Sequence, residues 1–169
     1  MIPIVDSAFI HLPAALALTF TRSGSGALAL AIPLAELEHA LLALARDAAE
    51  KQGAEVESVK VVLTSESPRV LRLHAVAVAK AMFISARLTI TGRIEISDAL
   101  ALQICGLACT GDGMIANLAA SYLRPRLSQL EGRGIPLQSL LPSLRDATLD
   151  ASEGLRVMVK FGGQENAAH

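Results

Sequence analysis

Met82-Phe83-Ile84-Ser85-Ala86-Arg87-Leu88-Thr89-Ile90-Thr91-Gly92-Arg93-Ile94-Glu95-Ile96-Ser97 is the clearest alternation in the chain. Met82, Ile84, Ala86, Leu88, Ile90, Gly92, Ile94 and Ile96 fall on one side, and Phe83, Ser85, Arg87, Thr89, Thr91, Arg93, Glu95 and Ser97 on the other. A period of two marks a β-strand with one buried face. The even positions are therefore expected inside and the odd ones mostly toward solvent. A strand of about fifteen residues is much longer than the usual run of about five or six, and spans roughly 50 Å. The sheet that holds it must be long and strongly curved, with Gly92 the expected point of bending.

Before this stretch, Val56 to Leu63 and Val70 to Ala79 also read as strands, with Ser65-Glu66-Ser67-Pro68 as the turn between them. Leu71, Leu73, Ala75, Ala77 and Ala79 share one face of the second strand. Three of these five are alanine, so that face is shallow and leaves room for another element or a ligand. After it, Ala99 to about Thr110 reads as a further apolar strand. Cys105 and Cys109 lie on this strand, which would put both on one face with Cα atoms roughly 13 Å apart, too far for a disulfide. Reduced core thiols are the expectation, consistent with an intracellular chain.

Two helices flank these strands. From Pro33 to Gln52, Leu34, Leu37, Leu41, Leu44, Ala45 and Ala48 form a stripe at spacings of three and four. Pro33 suits the first turn, Glu36 and Glu38 the positive end of the macrodipole, and Gly53 the stop. The second helix follows Gly111-Asp112-Gly113, with Asp112 as the N-cap and Ile115, Leu118, Ala119, Tyr122, Leu123, Leu127 and Leu130 as its apolar stripe. Pro125 sits inside that stripe and predicts a kink or two shorter helices. Gly132 to Leu137 reads as a loop, and Leu144 to Ala151 with Leu155 to Phe161 as a closing pair of strands. Two N-terminal apolar runs, Leu12 to Thr21 and Ala27 to Ile32, suggest a hairpin around Arg22-Ser23-Gly24-Ser25-Gly26, although helices are also compatible with them. The class is α+β: a long, curved antiparallel sheet wrapped on two amphipathic helices. All 169 residues suit a single domain, with about 1–11 and 162–169 expected to fray.

Composition narrows the function. Hydrophobic residues make up 52% and charged residues 18%, so the chain is built for a core and not for disorder. Aromatic residues are only 3%, and 15 basic residues face 16 acidic ones. The aromatic platforms and basic grooves of nucleic-acid binders are therefore missing, and no nucleic acid partner is expected. No stretch has the roughly 18 to 20 apolar residues of a transmembrane segment. The Leu12 to Phe20 run is short, follows Asp6 and lacks a basic leader, so it reads poorly as a signal peptide and the expected address is cytoplasmic.

No motif announces an enzyme. His11, His39, His74 and His169 are scattered, and no metal-ligand spacing joins them to the cysteines. Neither a Gly-x-Ser-x-Gly elbow nor a Gly-x-x-x-x-Gly-Lys-Ser/Thr loop occurs. Thr110-Gly111-Asp112-Gly113 reads as a tight turn and cap before it reads as an anion site. The expectation is no catalytic residue, no metal and no cofactor.

The order of parts resembles the tubular lipid-binding superfamily, which includes bactericidal/permeability-increasing-like and LmeA-like phospholipid-binding domains. The matching features are Ile32-Pro33-Leu34-Ala35-Glu36-Leu37 opening a long helix, the strands from Val56 to Ile96, and the helix from Ile115 to Leu130. Ile135-Pro136-Leu137 and the closing pair, Leu144 to Leu149 and Gly154 to Val157, complete the match over about residues 30–162. The resemblance implies a curved sheet wrapped on helices, with an apolar groove for acyl chains. Leu37, Leu41, Leu88, Ile90, Leu118 and Tyr122 are the candidate wall, because they sit on the apolar stripes expected to converge. Lipid or another long apolar molecule is the expected partner, and a homo-oligomer is left open. The alternatives are an interaction or scaffold protein that fills its own groove, and a hotdog-type acyl thioesterase. The second helix and the closing hairpin do not fit the thioesterase, and no acidic residue is placed as its base.

Overall fold

The computed structural model describes residues 27–140 and 144–161. In chain order these form β1 (Ala27–Pro33), α1 (Leu34–Glu50), β2 (Glu55–Ser67), β3 (Val70–Ala81), β4 (Ile84–Ile96) and β5 (Ala101–Gly111). Then follow α2 (Gly113–Leu130), β6 (Gly134–Pro136), the short helix α3 (Leu137–Leu140), β7 (Leu144–Asp150) and β8 (Gly154–Phe161). The class is α+β, with two antiparallel sheets among the described residues, neither closed: β2-β3-β4-β5-β6 and β1-β8-β7. The run from Leu12 to Thr21 and the two termini lie outside the described residues.

The alternation in β4 decides the larger sheet. Leu88, Gly92, Ile94 and Ile96 are buried, while Arg87, Thr91 and Arg93 are exposed. Inward packing ends toward the hairpin, where Met82 and Ile84 are exposed despite their even positions. The reason is length: β5 pairs with β4 only as far as Leu88↔Gly111, so the β3–β4 hairpin overhangs its neighbour. The β2 strand runs to Ser67, through most of the predicted turn Ser65 to Pro68, and Pro68-Arg69 make the reversal. Pro33 ends β1 as the N-cap of α1 and does not lie within the helix.

One extra residue in β5 overturns the placement of the cysteines. Thr91 pairs with Ala108 and Arg93 with Cys105, so two residues of β4 stand against three of β5. Gly106, at φ 62°, takes the left-handed conformation that this bulge requires. An inserted residue reverses the parity of everything after it. Cys105 therefore shares the outer face with its partner Arg93, whereas Cys109 lies opposite Ile90 on the helix-covered face. Gly92 lies opposite the bulge, and an added Cβ there would press on the Leu107 side chain. Where the sequence placed a bend at Gly92, β5 opposite it carries a bulge.

Both long helices lie on the inner face of the five-stranded sheet. In α1, Ala40 is buried and Leu34, Leu37, Leu41, Leu42, Ala45 and Ala49 pack toward Val56, Val59, Val61 and Ala75, whereas Leu44 of the predicted stripe is exposed. This helix also closes the β2 edge. Glu38 Oε1 accepts the Val61 N–H at 2.9 Å and Arg46 Nε donates to the Val56 carbonyl at 3.0 Å, using backbone groups that an open edge would offer to another chain. That backbone N–H, followed by Lys60, holds the Glu38 carboxyl below its ordinary pKa.

The second helix runs unbroken from Gly113 to Leu130, so the predicted break at Pro125 does not divide it. Pro125 and Ser121 are both exposed, and the Ser121 carbonyl that loses its N–H partner sits on the solvent side, where water satisfies it. Asp112 is the N-cap by position but makes no side-chain capping bond. The segment predicted as a loop instead pairs β6 with Ala101 to Gln103 of β5, and α3 then starts at Leu137, which is buried. The small sheet covers the other end of the inner face. There Ala147, Leu149, Val157 and Val159 pack with Leu71, Ile94, Ile96, Leu100 and Leu137. Arg69 Nη2 to Asp146 Oδ1, at 2.8 Å, ties the turn after β2 to β7.

Candidate functional site

The β3–β4 ladder forms the middle of the inner face. Its inward pairs, taken from the small sheet toward the hairpin, are Leu73↔Gly92, Ala75↔Ile90, Ala77↔Leu88, Ala79↔Ala86 and Ala81↔Ile84. The alanines noted in the sequence supply most of one strand. Against them α1 covers the β2 side, and α2 covers the β5 side and part of β4. Each helix has its own core, and Ala77 and Ile90 are packed against both cores. Between the two cores the ladder is therefore floored by Ala77, Ala79 and Ala86 and ends at Ala81, about four residue steps of β3 or roughly 13 Å. This gutter runs out at the overhanging hairpin.

Leu37 and Leu41 lie on the α1 side of the gutter, partly buried, and Ile90 lies in its floor. Leu88 is 7% exposed and packs beneath α2 with Cys109, Ala116 and Ala120. Leu118 and Tyr122 are not part of this wall. They are 59% and 73% exposed on the outer side of α2, whose inward residues are Ala116, Ala119, Ala120, Leu123 and Leu127. Gly111 explains the rotation: a Cβ there would collide with the backbone of Ala116 and Asn117. At this end of α2 strand and helix backbones meet so closely that Ala116 and Ala120 take the inward positions, and Leu118 and Tyr122 turn outward. Asn117 Oδ1 accepts the Gly111 N–H, Arg124 Nε donates to the Cys109 carbonyl at 3.1 Å, and Glu131 Oε1 accepts the Gly106 N–H at 2.7 Å. These bonds hold α2 in that orientation along its length.

Sequence reasoning missed Ala79, Ala86 and Leu123 as gutter residues. The alanine-rich face of β3 is the available signal for Ala79 and the alternation of β4 for Ala86, and Leu123 lies on the predicted stripe of α2. A separate pocket of about 480 Å³ opens between the end of α1 and the hairpin, lined by Glu50, Gly53, Ala54, Glu55, Lys80 and Met82. Its charged lining does not suit an acyl chain.

Little reactive chemistry surrounds the gutter. No three His, Cys, Asp or Glu side chains gather as a metal site among the described residues. Burial pushes the Cys109 thiol above its ordinary pKa. Cys105 is raised by burial and then by the Glu95 carboxylate, to which its Sγ donates at 3.2 Å. Glu95 is lowered first by the amide of Gln103 and then by the same thiol. Thiols held protonated in this way are poor nucleophiles. Among the described residues no helix is long and apolar enough to cross a membrane. No protein-family model, curated protein or solved structure matches this chain.

Proposed function

We propose that the protein binds lipid, or another long apolar ligand, in the gutter between α1 and α2, without catalysing a reaction. One observation carries this reading: two helices share a sheet face yet build separate cores, with a floor of Ala77, Ala79 and Ala86 between them. Small residues keep the floor low, and a strip of about 13 Å is long enough for an extended acyl chain of about eight to ten carbons to lie along it. Each methylene removed from water contributes about 0.8 kcal/mol, so a chain of about eight to ten carbons gains enough to offset part of the cost of association. Leu37, Leu41, Ile90 and Leu123 line the gutter in this reading, with Leu88 beneath α2.

A second reading, an interaction or scaffold protein, is favoured by the large apolar side chains that α2 turns to solvent, Met114, Ile115, Leu118 and Tyr122. Displacement of a fluorescent fatty acid separates the two readings, together with mass spectrometry of an organic extract of the purified protein. Ala79→Phe, which raises the floor at the open end, should weaken probe binding at least about tenfold with the fold retained. If the native protein neither binds the probe nor carries extractable lipid, the carrier reading fails. Unchanged probe binding by Ala79→Phe moves the ligand out of the gutter.

A further inference from the structure

The two most exposed large apolar side chains among the described residues stand where the gutter ends. Met82 and Phe83 form the two-residue turn between the paired Ala81 and Ile84, and are 89% and 98% exposed. Ile84 beside them is also exposed. Met82 has φ 55°, at a turn position that glycine ordinarily fills. A side chain there strains the backbone, and nothing in the described fold uses this one for packing. On the β5 side the tip stands clear, because β4 from Ile84 to Arg87 projects past the last residue of β5, while on the other side Met82 borders the pocket at the end of α1.

We infer that the β3–β4 tip is a membrane-docking element that inserts Met82 and Phe83 among the lipids of a bilayer and brings the mouth of the gutter to its surface. The inference rests on the lipid-binding reading for its purpose, but not for its geometry. A protein pocket would need a shape complementary to a knob this exposed; a fluid bilayer needs none. Charge fits as well. Lys80 and Arg87 lie on the outer face of the same hairpin, both exposed, and neither has an ion-pair partner among the described residues. They stand three and four residues back from Phe83, roughly 10 to 13 Å along the strands. When the apolar tip is about 5–10 Å deep in the interface, their long side chains reach the headgroup phosphates. Glu55 lies opposite Lys80 across the β2–β3 ladder, Glu50 lines the same pocket as Lys80, and Asp112 donates its backbone N–H to the Arg87 carbonyl, so the attraction to anionic lipid is small and the apolar tip carries most of the binding.

Flotation of the full chain with vesicles tests the inference, using phosphatidylcholine alone and phosphatidylcholine mixed with phosphatidylglycerol. The native protein should float with both, and more with the anionic mixture. Met82→Ser with Phe83→Ser should bind vesicles at least about tenfold more weakly while binding fluorescent fatty acid in vesicle-free solution as the native chain does. Met82→Gly is the sharper variant: it relaxes the turn, so it should unfold at a higher denaturant midpoint and yet float less. The chain has no Trp, so Phe83→Trp supplies a single indole whose emission should shift to the blue when vesicles are added. Native protein that floats with neither vesicle, tip variants that float as well as native, or an unshifted indole would each overturn the docking tip. Failure of the fatty-acid assay in solution, with vesicle binding intact, would overturn the carrier reading and leave the tip standing.

Discussion

Replacing Gly111 with alanine should dislodge α2 from the sheet. Gly111 has an ordinary negative φ, so alanine is not penalised by the backbone. The added Cβ would fall within contact distance of Ala116 C and O and of Asn117 N, all of them main-chain atoms that cannot rotate away. Restoring an ordinary carbon–carbon separation requires a shift of more than about 1 Å. That shift loosens the contacts of Ala116, Ala120 and Cys109, which are at most 2% exposed. Overpacking costs about 1–3 kcal/mol, and losing part of this burial adds about 1–2 kcal/mol, for a total of about 2–5 kcal/mol. In a chain of this size each kcal/mol lowers the melting temperature by about 2–4 °C. Gly113→Ala is the control, two residues away: its φ is 87° but no atom lies within 4 Å of the added Cβ. It should cost only the left-handed strain of about 1–2 kcal/mol. Urea unfolding followed by circular dichroism gives both values, with a shifted midpoint and an unchanged slope expected. Ala116→Gly should not rescue Gly111→Ala, because the collision is with backbone. A Gly111→Ala protein no less stable than Gly113→Ala would show that the helix does not press on β5 as described.

The outward rotation of α2 predicts that Leu118→Ser and Tyr122→Ser change stability by no more than about 0.5 kcal/mol, whereas Leu123→Ala costs at least about 1 kcal/mol; the reverse order in urea unfolding would return Leu118 and Tyr122 to the core. The Asp146 carboxyl is held below its ordinary pKa first by the Arg69 hydrogen bond, so its contribution is present above the unfolded value and fades as pH falls through the folded one. With side chains 37% and 38% exposed, that pair is worth no more than about 1 kcal/mol. Asp146→Asn should therefore be less stable than native at pH 7 by about that amount or less and indistinguishable from it in strong acid, and a gap that persists or widens in acid would count against the linkage. Cys105 and Cys109 lie on opposite faces, so no disulfide should form between them under oxidation. Alkylation should reach Cys105 slowly because its thiol is held protonated, and Cys109 only on unfolding; equal labelling in the native state would contradict the bulge at Gly106.

The elements themselves were legible in the sequence because periodicity is a local property. Leu34, Leu37 and Leu41 repeat at helical spacing, and Leu88 to Ile96 at strand spacing, whatever the chain does elsewhere. Composition likewise disclosed the shallow alanine face of β3 that becomes the floor of the gutter. Three things depended on contacts between distant residues. β1 pairs with β8 across more than a hundred residues, a partnership that no local pattern encodes. The bulge at Gly106 is set by the register of β5 against β4, and it moves Cys105 to the outer face although its spacing from Cys109 places both on one side of an ideal strand. The buried face of α2 was decided in the same way. A hydrophobic stripe counts apolar side chains, and by that count Leu118 and Tyr122 belonged inside. The backbone approach at Gly111 leaves only the volume of alanine at Ala116 and Ala120, and close packing there favours what fits over what is most apolar.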